Sequence, residues 1–112
     1  MDLQTTIQNN ATVVTISGRL DAVTAPDYEK RIREMVASGT NDFVVDFAQL
    51  DYISSAGLRA LLLMAKLLKE KNGNVCFANV NGNVRSVFEM SGFAALFTME
   101  DSVTEALAKL TE

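Results

Sequence analysis

Short apolar runs alternate with stretches of helical period along nearly the whole chain, and turn-forming residues mark each change. Leu3 to Gln8 and Thr12 to Ser17 are β-prone, and the intervening Asn9-Asn10 favours a tight turn, so together they read as a hairpin. Between Ala25 and Ser38, apolar residues fall at Ala25, Tyr28, Ile32, Met35 and Val36, close to helical spacing. Thr24 stands where a cap belongs, with Asp27 in the capping-box position, and Gly39 supplies the stop. Pro26 does no harm in a first turn whose amides lack helical partners. Phe43 to Phe47 is nearly continuous apolar sequence, the mark of an interior strand. A second helix is predicted from about Ser55 to Lys71, ended by Asn72-Gly73-Asn74, and Val75 to Ala78 is another short strand. Asn81-Gly82-Asn83 opens a third helix carrying Val84, Val87 and Phe88 and closed by Gly92. Leu96 to Met99 reads as a last strand, and Ser102 with Glu105 forms a capping box for a final helix through Leu110.

The order β-β-α-β-α-β-α-β-α predicts a single α/β domain over residues 1–112, with a mixed, mostly parallel sheet of about four to five strands covered by about four helices. No linker, repeat or low-complexity tract divides it. At 112 residues, folding buries roughly 65% of the unfolded surface, enough for one core. Composition then removes several kinds of chemistry. The chain has no histidine, which excludes internal Ser-His-Asp and Cys-His catalysis and histidine metal sites. Its one cysteine, Cys76, reads as a small core residue and cannot make an internal disulfide. Asn81-Gly82 lacks the lysine of a phosphate loop, so no cofactor or nucleotide is expected. Lys and Arg number 10 against 14 Asp and Glu, a net charge of 10 − 14 = −4, which argues against direct nucleic-acid binding. Without a long apolar run or a signal-like N-terminus, a cytoplasmic protein with no membrane insertion is expected.

In sheets of this kind function collects where strands end and helices begin. Two junctions stand out: Gly18-Arg19-Leu20-Asp21, and Asp51-Tyr52-Ile53-Ser54-Ser55-Ala56-Gly57-Leu58. The second places two hydroxyls and two small residues at a helix N-terminus, where free amides and the dipole favour a phosphate. Ala56 and Gly57 would let another protein's backbone approach Ser55. Gly57 costs up to about 1 kcal/mol relative to alanine in a helix, so something other than helix stability favours it.

Three blocks carry a family resemblance: Ser17 to Asp21, Asp51 to Leu62 (DYISSAGLRALL), and Val87 to Phe93 (VFEMSGF). In this order and at this length they resemble the STAS family, the domain shared by sulfate transporters and bacterial anti-sigma factor antagonists. The likeness spans nearly the whole chain and implies the STAS fold. In antagonists of this family, a serine two residues before the motif glycine is phosphorylated by a partner that is both kinase and anti-sigma factor. The matching residue is Ser55. Where the family usually has an aspartate before that serine, this chain has Ser54, and where a second hydroxyl usually follows, it has Ala56.

The residues beside these motifs have plainer readings too. Ser54 or Ser55 serves as a helix cap; with the resemblance, Ser54 is the cap and Ser55 the phosphosite. Asp21 is either a turn residue or part of the switch surface. Leu58, Leu61, Leu62, Ala65 and Leu68 form a core stripe, joined by Leu67. Leu63 and Met64, near Arg59 and Ala60, are read as a partner-facing patch. Arg59 pairs with an acidic residue of the partner or is simply solvated.

Phosphorylation adds about −1.5 to −2 charges. Asp21, Asp46 and Asp51 are expected near the junction, and like unit charges about 6 Å apart repel by about 3 kcal/mol at an effective dielectric near 20. The amide cradle returns only about 0.3–1 kcal/mol. The expectation is therefore release of the partner with little refolding.

The resemblance implies an anti-sigma factor antagonist that binds an anti-sigma factor with serine kinase activity while Ser55 is unmodified, and so frees a sigma factor. A serine phosphatase would reset it, and the kinase would bring ATP and Mg²⁺. The alternative is an accessory STAS subunit of a lipid-transport ATPase, or a scaffold in stress signalling. An enzyme with Ser55 as nucleophile is not expected, because no histidine base exists and Lys66 and Lys69 lie turns away along the helix.

Overall fold

Asn9 and Asn10 both adopt positive φ, 51° and 66°, the two-residue turn whose twist matches paired strands. In the computed structural model, which describes residues 1–111, this turn joins β1 (Asp2–Gln8) to β2 (Ala11–Leu20) as an antiparallel hairpin. The chain continues through α1 (Ala25–Ala37), β3 (Asp42–Ile53), α2 (Ser55–Glu70), β4 (Asn74–Ala78), α3 (Gly82–Met90), a 3-10 turn (Phe93–Ala95), β5 (Met99–Glu100) and α4 (Val103–Leu110). The sheet order is β1-β2-β3-β4-β5, with every pair after the hairpin parallel. This is the expected single α/β domain, with five strands and four helices among the described residues.

Strand order dictates the layering. Each crossover from β2 onward adds its strand on the same side of the last, and right-handed crossovers then send α1, α2 and α3 to one face. The packing agrees. Val14, Val45 and Phe77 pack with Tyr28 and Ile32 of α1, Leu61 and Leu68 of α2, and Phe88 of α3. Their strand neighbours Val13, Val44 and Cys76 point the other way, against Ala106 and Leu107 of α4. Buried on both faces, β4 and the Phe43–Val45 stretch of β3 read as continuous apolar runs. Cys76 is fully buried, as expected, and burial raises its thiol pKa to about 11. Phe47, Phe77 and Phe88 meet edge to face beneath α3.

Three local expectations need correction. Strand β3 runs to Ile53, well past Phe47. Its pairing with β2 slips twice, so that Thr15, Ser17, Gly18 and Arg19 face Asp46, Gln49, Leu50 and Tyr52. Each slip inserts one residue into β3 and turns the period of two into the buried triplet Phe47, Leu50 and Ile53. The final strand is the two-residue β5, because Gly92 at φ 81° starts a 3-10 turn through Ala95 instead. Thr24 makes no capping box with Asp27; its hydroxyl is taken up by the preceding loop. At α4 half of the expected capping box forms, Ser102 Oγ accepting from Glu105 N at 3.1 Å.

Candidate functional site

Parallel β2 and β3 end side by side, and α1 and α2 leave from that same edge of the sheet. The two predicted junctions therefore come together. Ser54 N donates to Leu20 O at 3.0 Å, stitching the start of α2 to the end of β2. Gly57 packs directly on that carbonyl, and a β-carbon on it would meet Leu20 O at 2.5 Å. The glycine thus serves close packing inside this chain, and being buried it offers nothing to an incoming backbone.

The two serines separate by role. Ser54 sits at the N-cap with extended backbone, and its Oγ accepts from Gly57 N at 3.3 Å. Ser55 is the first residue of α2 and is exposed, and no hydrogen bond engages its hydroxyl among the described residues. Ala56 beside it is half-buried.

Asp21 organises the other loop. Its Oδ1 accepts from Val23 N at 3.0 Å and Thr24 N at 3.2 Å, while Arg19 Nε approaches Oδ2 at 3.5 Å. Thr24 Oγ1 accepts from Asp21 N and donates to Arg19 O, both at 2.9 Å. The amide of Thr24 is the main reason the Asp21 carboxyl is held below its ordinary pKa. Asp21 is therefore a turn-forming residue, and a charged one, at the edge that also carries Ser55. Asp46 lies elsewhere. Its carboxylate accepts from Ala48 N at 3.0 Å and Asn79 Nδ2 at 2.9 Å, on the order of 20 Å of strand back from the end of β3. Asp51 is exposed beside the start of α3, in a hollow it lines with Asn79 and Asn81.

Helix geometry divides the predicted α2 patch. Gly57, Ala60, Leu61, Met64 and Leu68 form the inward stripe, so Ala60 (1% exposed) and Met64 (3%) are core residues and not partner-facing ones. Met64 Sδ accepts from the buried Tyr28 hydroxyl at 3.0 Å, closing α2 against α1. Ser55, Arg59, Leu63 and Lys66 lie on the outward face. Leu62, Ala65 and Leu67 are half-buried at its margins.

Two surface residues emerge that hydrophobic period gave no reason to choose. Val23 is 86% exposed at the tip of the β2–α1 loop, and Tyr52 is 40% exposed with the Arg19 guanidinium 4.1 Å from its ring centre. Arg19 and Tyr52 are register partners across β2 and β3, a relation that the double slip of β3 concealed. Among the described residues no cluster of three metal-ligating side chains occurs, and no helix is long and apolar enough to cross a membrane.

Comparison with known proteins places this geometry. Residues 2–106 match the family model described as STAS domain. The chain is 36% identical over 96 residues to BtrV of Bordetella bronchiseptica, whose name assigns it to the anti-sigma factor antagonists; the match covers 86% of this chain and 83% of that one. The structure superposes on an anti-sigma factor antagonist from Thermotoga maritima with a TM-score of 0.92 at 16% identity, covering 98% and 95% of the two chains. It also matches the Bacillus cell-fate determinant SpoIIAA in its phosphorylated form, with a TM-score of 0.75 at 20% identity over 99% and 100%. These structural likenesses establish the fold. With the model match over almost all of its length and the Bordetella relative, the chain belongs to the STAS domain family.

Proposed function

We propose that this protein is an anti-sigma factor antagonist whose docking surface surrounds Ser55 and is closed by phosphorylation of that residue. One observation carries the reading: of the two serines at the mouth of α2, Ser54 is engaged as the cap and Ser55 is exposed with its hydroxyl unengaged. A kinase reaches the second without breaking the helix start. The name of the Bordetella relative and the phosphorylated form of SpoIIAA support the same role.

The partner is an anti-sigma factor with serine kinase activity, which supplies ATP and Mg²⁺. Ser55 Oγ attacks the γ-phosphorus, the bond to ADP breaks, and the hydroxyl proton passes to a base of the kinase. The surface available to the partner comprises Ser55, Arg59 and Leu63 on α2, with Asp21, Val23 and Tyr52 on the adjoining loop and strand. Ser54, Ala56, Gly57, Ala60 and Met64 act beneath it as the support that fixes the first turns of α2.

A phosphate on Ser55 meets two opposing influences. The first-turn amides and helix dipole favour it by about 0.3–1 kcal/mol. Across a partner interface it must be desolvated next to Asp21, which stays ionised at neutral pH, and that cost is the larger. Phosphorylation thus expels the partner and leaves the fold unchanged, and a serine phosphatase restores binding. Calorimetric titration of the anti-sigma factor with Ser55→Ala and Ser55→Asp proteins tests this. The alanine protein should bind like the unmodified chain and the aspartate protein at least about tenfold more weakly. Equal affinities, or phosphopeptide mapping that finds the modification elsewhere, would overturn it.

A further inference from the structure

The sheet has two edges of very different length: β5 is two residues long, β1 seven. A two-residue hairpin closes on a hydrogen-bonded pair, here Gln8 opposite Ala11. The backbone groups of Gln8, Thr6, Gln4 and Asp2 therefore point inward to β2, and those of Ile7, Thr5 and Leu3 point outward. Edges of this kind are normally blunted by lysine, proline or a bulge. Residues 3–8, LQTTIQ, carry no charge and no proline, and their pairing with β2 has no register slip. Ile7 is 81% exposed on the same side of the strand as buried Leu3. On that side an open hollow between β1 and α1 is lined by Leu3, Thr5, Arg31, Glu34 and Met35.

We propose that this edge is a self-association surface, on which two copies of the chain pair β1 antiparallel about a two-fold axis at Thr5. This register sets Thr5 against Thr5 and Leu3 against Ile7 of the second copy, and each outward-facing pair exchanges both of its N–H···O bonds. Ile7 of each copy then covers the hollow above Leu3 of the other. The same axis reverses α1, bringing Arg31 of one copy toward Glu34 of the second, opposite charges flanking a neutral centre. The contact is short, so the dimer forms reversibly as concentration rises. Ser55 stands beyond the end of β3, two strands from this edge, and remains open in the dimer.

Sedimentation equilibrium from micromolar to millimolar protein, with amide exchange at both limits, tests the proposal. The weight-average mass should climb from monomer toward dimer, and the amides of Leu3, Thr5 and Ile7 should slow with concentration while those of Gln4, Thr6 and Gln8 do not change. Ile7→Lys and Thr5→Pro should each weaken association at least about tenfold. Both should melt close to the unsubstituted chain, since Ile7 is exposed and the Thr5 N–H takes no part in the β1–β2 ladder. A monomer throughout the range, or a dimer indifferent to both substitutions, overturns the proposal. A monomeric protein whose outward amides are slowed only by an added extended valine-threonine peptide assigns the edge to peptide capture and overturns it equally.

Discussion

Gly57 lies flat against the carbonyl of Leu20: a β-carbon there would stand 2.5 Å from that oxygen and 2.8 Å from Ile53 Cγ1. Helix propensity alone predicts that Gly57→Ala gains up to about 1 kcal/mol. The Leu20 backbone cannot yield without disturbing the Ser54–Leu20 hydrogen bond, so overpacking wins and the substitution should cost about 1–3 kcal/mol. Urea denaturation reads the difference directly. A midpoint at or above that of the unsubstituted protein would show that the two elements are free to separate.

The adjacent serines should differ in the opposite sense for stability and for signalling. Ser54→Ala removes the oxygen that accepts from Gly57 N and should cost about 1 kcal/mol. Ser55→Ala deletes an exposed hydroxyl with no partner among the described residues and should shift stability by no more than about 0.5 kcal/mol. Only the second change should abolish phosphate incorporation in a kinase reaction. Loss of incorporation with Ser54→Ala and not with Ser55→Ala would exchange the two roles.

These two residues also show what was legible in the sequence. The hydroxyl pair could be placed at a helix start because the apolar run, the cap residues and the helical period agreed locally. What stayed hidden was non-local. The two slips in β3 replace a period of two by the spacing Phe47, Leu50, Ile53, and no local rule connects that spacing to a strand. The stacking of Arg19 on Tyr52 depends on the same register and was invisible for the same reason. Ala60 and Met64 failed differently. On a helix apolar nearly all round, period alone does not tell which arc faces α1, and the Tyr28–Met64 contact settles it.

The division of the α2 face gives a contrasting pair. Met64→Ala opens a cavity between α1 and α2 and should destabilise by about 2–5 kcal/mol, visible as a lower melting temperature. Leu63 is 36% exposed, so Leu63→Ala should cost less than about 1 kcal/mol while weakening the anti-sigma factor complex. Stability and affinity losses falling on the same residue would mean that the packing of α2 against α1 loosens when the partner docks.

Asp21 makes stability depend on acid in a defined direction. Its carboxyl pKa is lowered in the folded chain, chiefly by the Thr24 amide; desolvation opposes this as the next largest influence, and the Val23 amide, the Thr24 hydroxyl and Arg19 add smaller lowering effects. The unfolded chain therefore binds the proton more readily than the folded one, and stability rises with pH across this window. Asp21's contribution is complete above the ordinary carboxylate value of 3.8 and disappears as pH falls through the lower folded value. Urea unfolding between pH 2 and pH 5 should show this slope, and Asp21→Asn should flatten it while leaving the acid limit nearly unchanged. The same substitution keeps a side-chain oxygen for the Val23 and Thr24 amides and removes the charge from the junction that Ser54 N–Leu20 O ties to the start of α2, so phosphorylated Asp21→Asn protein should also retain more of its partner affinity. An acid slope that persists unaltered in Asp21→Asn would move the responsibility to another carboxylate and detach this loop from both effects.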